Sequence, residues 1–272
     1  MKFLEIYAGP KAIKQLEQNG FNQSQFDIML GASGGPKWFV LWGLDKFIFG
    51  DFFAGRTEPL HVIGSSAGAF RFACFGQKDP VSAINRLADI YSTTTYSSNA
   101  TSKEITLKAV EMLDGILAGN AIDEIIDNPV IKTHFIVAKT LNGLVSKNNK
   151  LAQMAGLSLS YVLNRIDRKH LRRQYHRYIF HTKQSALQIR DKYDIPSTYV
   201  EFSQDNLFKS LQASGAIPIV IDGVEDIEGA DSGMYRDGGI IDYHFDLELT
   251  LKDKKEQGLT LYPHFSAAPK AG

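Results

Sequence analysis

Two glycine-rich turns, each between a short apolar run and a helical pattern, constrain the fold of this chain more than any other feature. The first follows the apolar run FDIMLG (26–31): a loop at 31–36 leads into an apolar, buried helix from Lys37 to Phe49. The second follows LHVIG (60–64), where a tight turn leads into a helix over 69–75. Because successive strand-loop-helix units form parallel sheets, we predict an α/β fold, a three-layer α/β/α sandwich around a mainly parallel sheet.

Further elements of both kinds are predicted along the rest of the chain. Strands are predicted at 133–140, 178–182 and 197–202, and a hairpin within 224–241 leads into the Asp237-Gly238-Gly239 turn. Residues 91–102 predict a loop, and a helix ends near Gly215. The region 103–128 is helical in pattern, but nothing in it indicates what it covers. One face of its first helix is apolar, with Ile105, Ala109, Leu113 and Ile116.

Length and composition limit the class of protein. The 272 residues suit one domain, 1–272, with its motifs in 26–241 and a loose tail or truncated C-terminus at 265–272. A net charge of +0 removes a global attraction for nucleic acid. The single cysteine, Cys74, excludes an intrachain disulfide and lies in an apolar pattern that predicts a core position. The chain contains neither a signal-peptide core nor a membrane-spanning run, so we expect a cytoplasmic protein.

The second turn carries the strongest functional signal. Gly64-Ser65-Ser66-Ala67-Gly68 matches G-x-S-x-G between a strand and a helix, the setting of a nucleophile elbow. There the serine takes a strained conformation that projects its hydroxyl, and the flanking glycines leave room for the tightly turned chain. We therefore predict Ser66 as a nucleophile and Gly64 and Gly68 as elbow glycines. The Ala67 N–H can donate to a developing oxyanion. The alternative is a plain turn of small residues.

The first turn predicts a second group of oxyanion donors. In Ser33-Gly34-Gly35-Pro36-Lys37, backbone N–H groups lie between a strand end and a helix start, where anions are favoured. We predict that Gly34 and Gly35 form the other half of an oxyanion hole, with a purely structural turn as the alternative. A nucleotide phosphate loop would need glycine at Pro36 and a hydroxyl residue at Trp38, so that class is excluded.

A nucleophilic serine also needs a base, which can be a histidine or a carboxylate. None of the seven histidines lies in a glycine-rich turn, whereas Asp237-Gly238-Gly239 places a carboxylate on a sharp one. An Asp-Gly pair is also a common hairpin signal, so the turn alone does not settle the base. An α/β-hydrolase triad, with its order Ser, Asp, His, could instead use Asp194 or Asp222 with His244 or His264.

Together, the glycine-rich loop, the elbow and the Asp-Gly-Gly turn resemble the patatin-like phospholipase family, in which these motifs follow one another in this order. The segment 213–218 (ASGAIP) is also similar to the family's small-residue segment ahead of the catalytic aspartate. The resemblance implies a Ser66–Asp237 dyad with Gly34 and Gly35 in the oxyanion loop. The chain departs from the family at Ser33 and Trp38, where the loop pattern G-G-G-x-[KR]-G has glycine.

The resemblance implies a lipid acyl hydrolase, of phospholipase A or esterase type, that needs no cofactor. Asp237 would accept the proton of Ser66, the serine would attack an ester carbonyl, and water would hydrolyse the acyl-enzyme. The N–H groups of Gly34, Gly35 and Ala67 would stabilise the oxyanion. Such a base must be shielded from water, with a raised pKa. A catalytically weak lipid-binding protein of the same fold is the alternative.

A basic stretch between Arg165 and Lys183 stands out in this neutral chain. With Ile166, Leu171 and Tyr175 interleaved, it predicts either a helix in transient contact with a membrane surface or a solvated helix face balanced by acidic neighbours. His170 and His176 have no carboxylate cluster at ligand spacing, so we predict no metal site. The basic residues inside the stretch are Arg168, Lys169, His170, Arg172, Arg173, His176, Arg177 and His181.

Overall fold

The computed structural model of the protein describes residues 4–141, 143–252, 254 and 256–268. Its α-helices are Pro10–Asn19 (α1), Trp42–Phe47 (α2), Ala67–Phe75 (α3), Pro80–Thr93 (α4), Ser102–Ile116 (α5), Ala121–Ile126 (α6), Gly143–Ser146 (α7), Lys150–Ile166 (α8) and Leu207–Ser214 (α9). Its strands are Phe26–Gly31 (β1), Leu60–Ser65 (β2), Ile131–Thr140 (β3), Tyr175–His181 (β4), Leu187–Arg190 (β5), Ser197–Glu201 (β6), Val224–Glu225 (β7), Met234–Asp237 (β8), Glu248–Leu251 (β9) and Leu259–Leu261 (β10).

The central sheet has eight strands, six of them in the order β10-β1-β2-β3-β4-β6. Strands β10, β1, β2 and β3 are parallel, β4 runs antiparallel to β3, and β6 is parallel to β4. Strand β8 pairs antiparallel with both β3 and β7, while β5 and β9 form a separate antiparallel pair. The predicted α/β fold is therefore confirmed: a mostly parallel sheet is flanked by helices, consistent with a three-layer α/β/α sandwich.

Alternating side chains of the strands separate the two faces of the sheet. Met29, Val62 and Val137 belong to the main core, to which helices α3, α4, α5, α6 and α9 contribute. Their neighbours Ile63 and Ala138 belong to two smaller clusters on the opposite face. Helix α7 and the β5-β9 pair supply apolar side chains to those clusters, so both faces of the sheet are covered.

Most of the predicted elements are confirmed, but two boundaries are wrong. The helix predicted over 37–49 is a 3₁₀-helix (Gly35–Leu41), then α2, then a π-helical turn (Ile48–Phe52). It is also not buried all round, because Val40 and Phe47 are 72% and 52% exposed. The loop predicted from residue 91 begins only after α4 ends at Thr93, since Tyr91 packs its ring edge-on against Trp38 and Phe39.

The basic stretch 165–183 does not form one helix, so the prediction of a helix over this stretch is wrong. After α8 it forms a short 3₁₀-helix (Arg168–Arg173) and then enters the sheet as β4. The Arg177 guanidinium is fully buried and donates to the carboxylates of Asp242 (2.6 Å) and Asp191 (2.7 Å). A buried guanidinium requires carboxylate partners to offset the loss of hydration. Because the two partners of Arg177 lie far from it in sequence, the charge pattern of the stretch does not indicate its burial.

Cys74 is fully buried, as predicted, and burial raises the pKa of its thiol. Phe265, where we expected a loose tail to begin, stacks on His264 and lies beside Gly34, whereas 269–272 are outside the described residues. In the part of the chain that is described, no helix is both long and apolar enough to cross a membrane.

Candidate functional site

Strand β3 brings the predicted nucleophile and base together. Ser65, at the end of β2, is paired with Ile136, and Asp237, at the end of β8, is paired with the next residue, Val137. Because β2 is parallel and β8 antiparallel to β3, their carboxyl ends meet along one edge of that strand. Ser66 Oγ donates a hydrogen bond to Asp237 Oδ2 at 2.6 Å across a separation of 171 residues.

The turn at Ser66 has the backbone of a nucleophile elbow. Ser66 has φ 54° and ψ −123°, a strained conformation for a residue with a side chain. A Cβ on Gly64 would lie 2.4 Å from the carbonyl carbon of Gly68, and one on Gly68 would lie 1.9 Å from the Gly31 oxygen. Both elbow glycines are thus required by close backbone contacts. The contact with Gly31, which the motif does not include, ties the elbow to the end of β1.

The small-residue segment 213–218, which begins in the last turn of α9, holds both site residues in place. Ser214 Oγ accepts the Ser66 N–H at 3.0 Å and donates to the Ile136 carbonyl at 2.8 Å. The Asp237 N–H donates to the Ala216 carbonyl at 3.1 Å. The run of small residues at the end of a helix is the only signal of this segment in the sequence, and it does not indicate these roles.

Asp237 is nearly removed from solvent, with 5% of its surface exposed. Burial raises the pKa of its carboxyl from 3.8 to about 6, although hydrogen bonds from Ser66 and from the Gly239 N–H (2.6 Å to Oδ1) oppose the shift. The carboxylate form therefore predominates at neutral pH while being more basic than an exposed aspartate. This agrees with the expectation of a shielded carboxyl with a raised pKa.

The Asp-Gly-Gly turn packs directly on the other two motifs. A Cβ on Gly238 would lie 2.3 Å from the Ile136 oxygen, and one on Gly239 would lie 2.6 Å from Ser33 Oγ. Ser33 Oγ in turn donates to Ser65 Oγ at 3.0 Å, and both serines are buried. Ser33 therefore links the glycine-rich loop to the elbow.

Two of the three predicted oxyanion donors, Gly35 and Ala67, line the cavity at Ser66. Gly35, Ser66 and Ala67 line one narrow cavity of about 80 Å³. Ala67 is the first residue of α3, so its N–H has no partner within the helix. Gly34 is not among the described residues that line the cavity: its α-carbon faces Phe265, whose ring would be 2.6 Å from a Cβ there.

The walls of this cavity are mostly apolar. Helix α5 contributes Ile105, Ala109 and Leu113, three residues of the face predicted to be apolar, so the region 103–128 covers the cavity at Ser66. The other apolar wall residues are Phe70, Tyr91, Met112, Ile217 and Ile221, and the polar ones are Thr94, Tyr96, Lys108 and Gln212. A larger and more open cavity of about 580 Å³, beside the start of α4, contains none of the predicted site residues.

The residues proposed for a Ser-Asp-His triad do not converge on Ser66. Asp194 pairs with Arg172 at 3.7 Å, and the backbone of Asp222 bonds to Thr106. His244 and His264 hydrogen-bond to each other at 3.0 Å. Among the described residues, no histidine hydrogen-bonds to Ser66 or Asp237, and no group of three or more His, Cys, Asp or Glu side chains is arranged to hold a metal ion.

No protein-family model matches this chain, and no curated protein or solved structure matches it significantly either. The α/β fold and the geometry around Ser66 are accordingly the basis for assigning a function. Those two features define a strand-turn-helix serine site with a buried carboxylate partner at the edge of a mostly parallel sheet.

Proposed function

We propose that this protein is a lipid acyl hydrolase that cleaves carboxylic esters through Ser66 and Asp237. The observation that carries the proposal is the 2.6 Å hydrogen bond from Ser66 Oγ to Asp237 Oδ2 at a strained elbow beside an apolar cavity. A serine hydroxyl is activated by an adjacent base whose own pKa is matched to the task. The raised pKa of Asp237 meets that requirement.

The reaction proceeds in two halves. Asp237 Oδ2 takes the hydroxyl proton as Ser66 Oγ attacks the ester carbonyl, and the protonated carboxyl then gives that proton to the departing alcohol. This leaves an acyl group on Ser66 Oγ. A water molecule loses a proton to Asp237 and attacks the acyl carbonyl, after which the same proton returns to Ser66 and the carboxylic acid leaves.

The negative charge of each tetrahedral intermediate needs donors that are already in position. The Ala67 N–H, at the start of α3, and the Gly35 N–H line the same cavity as Ser66 and are the best-placed candidates. Gly34 lies against Phe265 and does not line this cavity, so it is the least well placed of the three predicted donors. Donors of this kind act on the transition state more than on bound substrate.

The walls of the cavity favour an acyl chain as the group bound beside Ser66. The side chains of α5 and of Phe70, Ile217 and Ile221 offer a narrow apolar passage. Burial of apolar groups contributes about 0.8 kcal/mol per methylene, so such a passage favours a hydrocarbon tail over a small polar acyl group. We therefore place the fatty acyl chain of a lipid ester there.

Labelling with a fluorophosphonate probe tests the nucleophile, because the probe reacts only with an activated serine. We expect covalent labelling of the wild-type chain and of Ser65→Ala, and none of Ser66→Ala. Ser65 is the matched control since it is adjacent and buried, and its hydroxyl contacts Ser33 rather than Asp237. Hydrolysis should fall by roughly ten-thousandfold or more in Ser66→Ala.

Incubation of the purified protein with a lipid extract tests the substrate class. We expect identified lipid species to lose acyl chains with the wild-type protein and not with Ser66→Ala. Labelling of Ser66 without any loss of acyl chains would refute a lipid substrate. The protein would then be a serine esterase that acts on another class of ester. Absence of labelling in a folded protein would contradict the proposal that the protein is a serine hydrolase, and would favour a lipid-binding protein.

A further inference from the structure

Helix α8 carries its polar side inward and its apolar side outward. The residues that it buries are Gln153, Gly156 and Ser160. Helices on a protein surface normally show the opposite arrangement. An exposed apolar surface of this kind marks a contact with another apolar body. The large apolar side chains that α8 exposes are Leu151, Met154, Leu159, Tyr161, Val162 and Ile166.

The inward orientation of the polar side is held by specific hydrogen bonds. The Gln153 carbonyl oxygen accepts the Ile219 N–H, and its amide donates to the Lys147 carbonyl at 2.7 Å. Ser160 Oγ lies 2.9 Å from the Tyr175 hydroxyl. Rotating α8 to bury its apolar side would break these bonds and leave buried polar groups unsatisfied. The outward position of the apolar residues is therefore a stable property of the fold.

The charged side chains of α8 and of the segment before it are all positive, with Lys147, Lys150 and Arg165 exposed. The nearest carboxylate along the chain is that of Asp167, which follows α8 and accepts the Lys169 N–H at the start of the next 3₁₀-helix. Basic side chains beside an exposed apolar helical face match an anionic lipid surface. A second copy of the same surface would instead bring like charges together, which opposes self-association.

The inner side of α8 is linked to the cavity at Ser66 by one short segment. The segment bonded to Gln153 through Ile219 also supplies Ile217 and Ile221 to the cavity wall. Ile217 and Val220 in that segment are 39% and 40% exposed. A single short segment with partly exposed apolar residues thus connects α8, through its inner side, to the wall of the cavity.

We propose that a docking face on α8, formed by Leu151, Met154, Val162 and Ile166, inserts into the surface of an anionic lipid bilayer. The basic residues beside it contact the headgroups, and the cavity at Ser66 receives an acyl chain from the same surface. Supply of substrate in this way rests on the proposed function, but attachment to the bilayer does not require hydrolysis and can be tested apart from it.

Sedimentation with vesicles tests the attachment, using Ser66→Ala so that hydrolysis cannot alter the lipid. The vesicles contain equal parts of phosphatidylcholine and phosphatidylglycerol. Replacing both Leu151 and Val162 by serine should weaken partitioning by about tenfold or more, because two apolar side chains no longer leave water. The matched control replaces Ile6 and Ile13 by serine, since these exposed apolar residues lie outside α8, and it should bind like the parent.

A second pair of substitutions tests the charges. Lys150→Glu with Arg165→Glu should weaken binding to the anionic vesicles by at least about tenfold, since each basic residue near an anionic surface contributes about fivefold in affinity. Binding to vesicles of phosphatidylcholine alone should change much less. Circular dichroism of each variant checks that the exposed substitutions leave the fold intact.

Three results would overturn the proposal. The first is a folded parent protein that does not sediment with anionic vesicles, and the second is equal weakening by the Ile6 and Ile13 control. The third is a dimer, detected by sedimentation velocity, that the Leu151 and Val162 substitutions convert to monomers, which would make this face an interface between copies. Vesicle binding without release of acyl chains by the wild-type enzyme would refute the proposed function alone.

Discussion

Replacing Asp237 by asparagine should abolish hydrolysis and at the same time stabilise the fold at neutral pH. Asparagine keeps one oxygen that can accept the Gly239 N–H, and its amide NH2 can donate to Ser66 Oγ, but it cannot accept a proton from the serine. It also carries no charge, whereas the buried carboxylate is held away from water. Burial of that charge is a cost to stability which the substitution removes.

The size of this stability cost follows from the pKa of Asp237, which burial raises from 3.8 to about 6. Because the pKa is higher in the folded state, ionisation disfavours folding as the pH rises through this interval. Each tenfold change in the protonation equilibrium corresponds to about 1.4 kcal/mol, so the cost reaches about 3 kcal/mol above pH 6. Below about pH 4 the carboxyl is protonated in both states, and the cost disappears.

Urea unfolding of the wild type and of Asp237→Asn at about pH 4 and about pH 7.5 measures this difference. The variant should gain up to about 3 kcal/mol relative to the wild type between the two conditions. Asp205→Asn, an exposed aspartate in the loop before α9, is the control and should differ from the wild type by less than about 0.5 kcal/mol at both. A stability difference between Asp237→Asn and the wild type that does not change with pH would refute the reasoning.

Three other predictions concern turnover. With a water-soluble ester, kcat/KM should rise about tenfold per pH unit up to about pH 6 and then level off, because Asp237 must be ionised; a fall over that range would contradict this base. Gly35→Val, at a backbone φ of +51°, should lower kcat by about a hundredfold or more with little change in KM, and a rise in KM alone would limit the loop to binding. His244→Ala and His264→Ala should each retain most activity; loss as complete as in Ser66→Ala, in a folded protein, would replace the dyad by a triad.

Short-range sequence patterns were enough to predict the strands and turns whose conformation depends on neighbouring residues. The strands ending at Gly31 and Ser65 were recognisable because short apolar runs stop at glycine-rich turns. Ser66 and Asp237 were recognisable because each lies in a short glycine-rich turn next to a predicted strand. The sharp backbone at Ser66 and the close contacts of Gly238 and Gly239 show why those residue types occur there.

Features that depend on distant contacts could not be predicted in the same way. Arg177 looked like one more charge in a solvated stretch, because its two carboxylate partners lie 14 and 65 residues further along the chain. The roles of Ser214 and Ser33 depend on which backbone or hydroxyl they meet in the folded chain, and serine itself is too common to indicate this. The apolar face of α5 was visible, but not the cavity that it covers.

The alignment of β2 and β8 along one edge of β3 determines when Ser66 meets Asp237 during folding. The elbow is complete once β1, β2 and α3 have packed, yet its base arrives only when the four-residue strand β8 has joined β3. Pairing of strands so far apart in sequence is intrinsically slow, because closing the long loop between them costs entropy. On the proposed mechanism, a growing or partly folded chain therefore presents Ser66 without its proton acceptor, and reactivity toward esters follows only once β8 has joined the sheet.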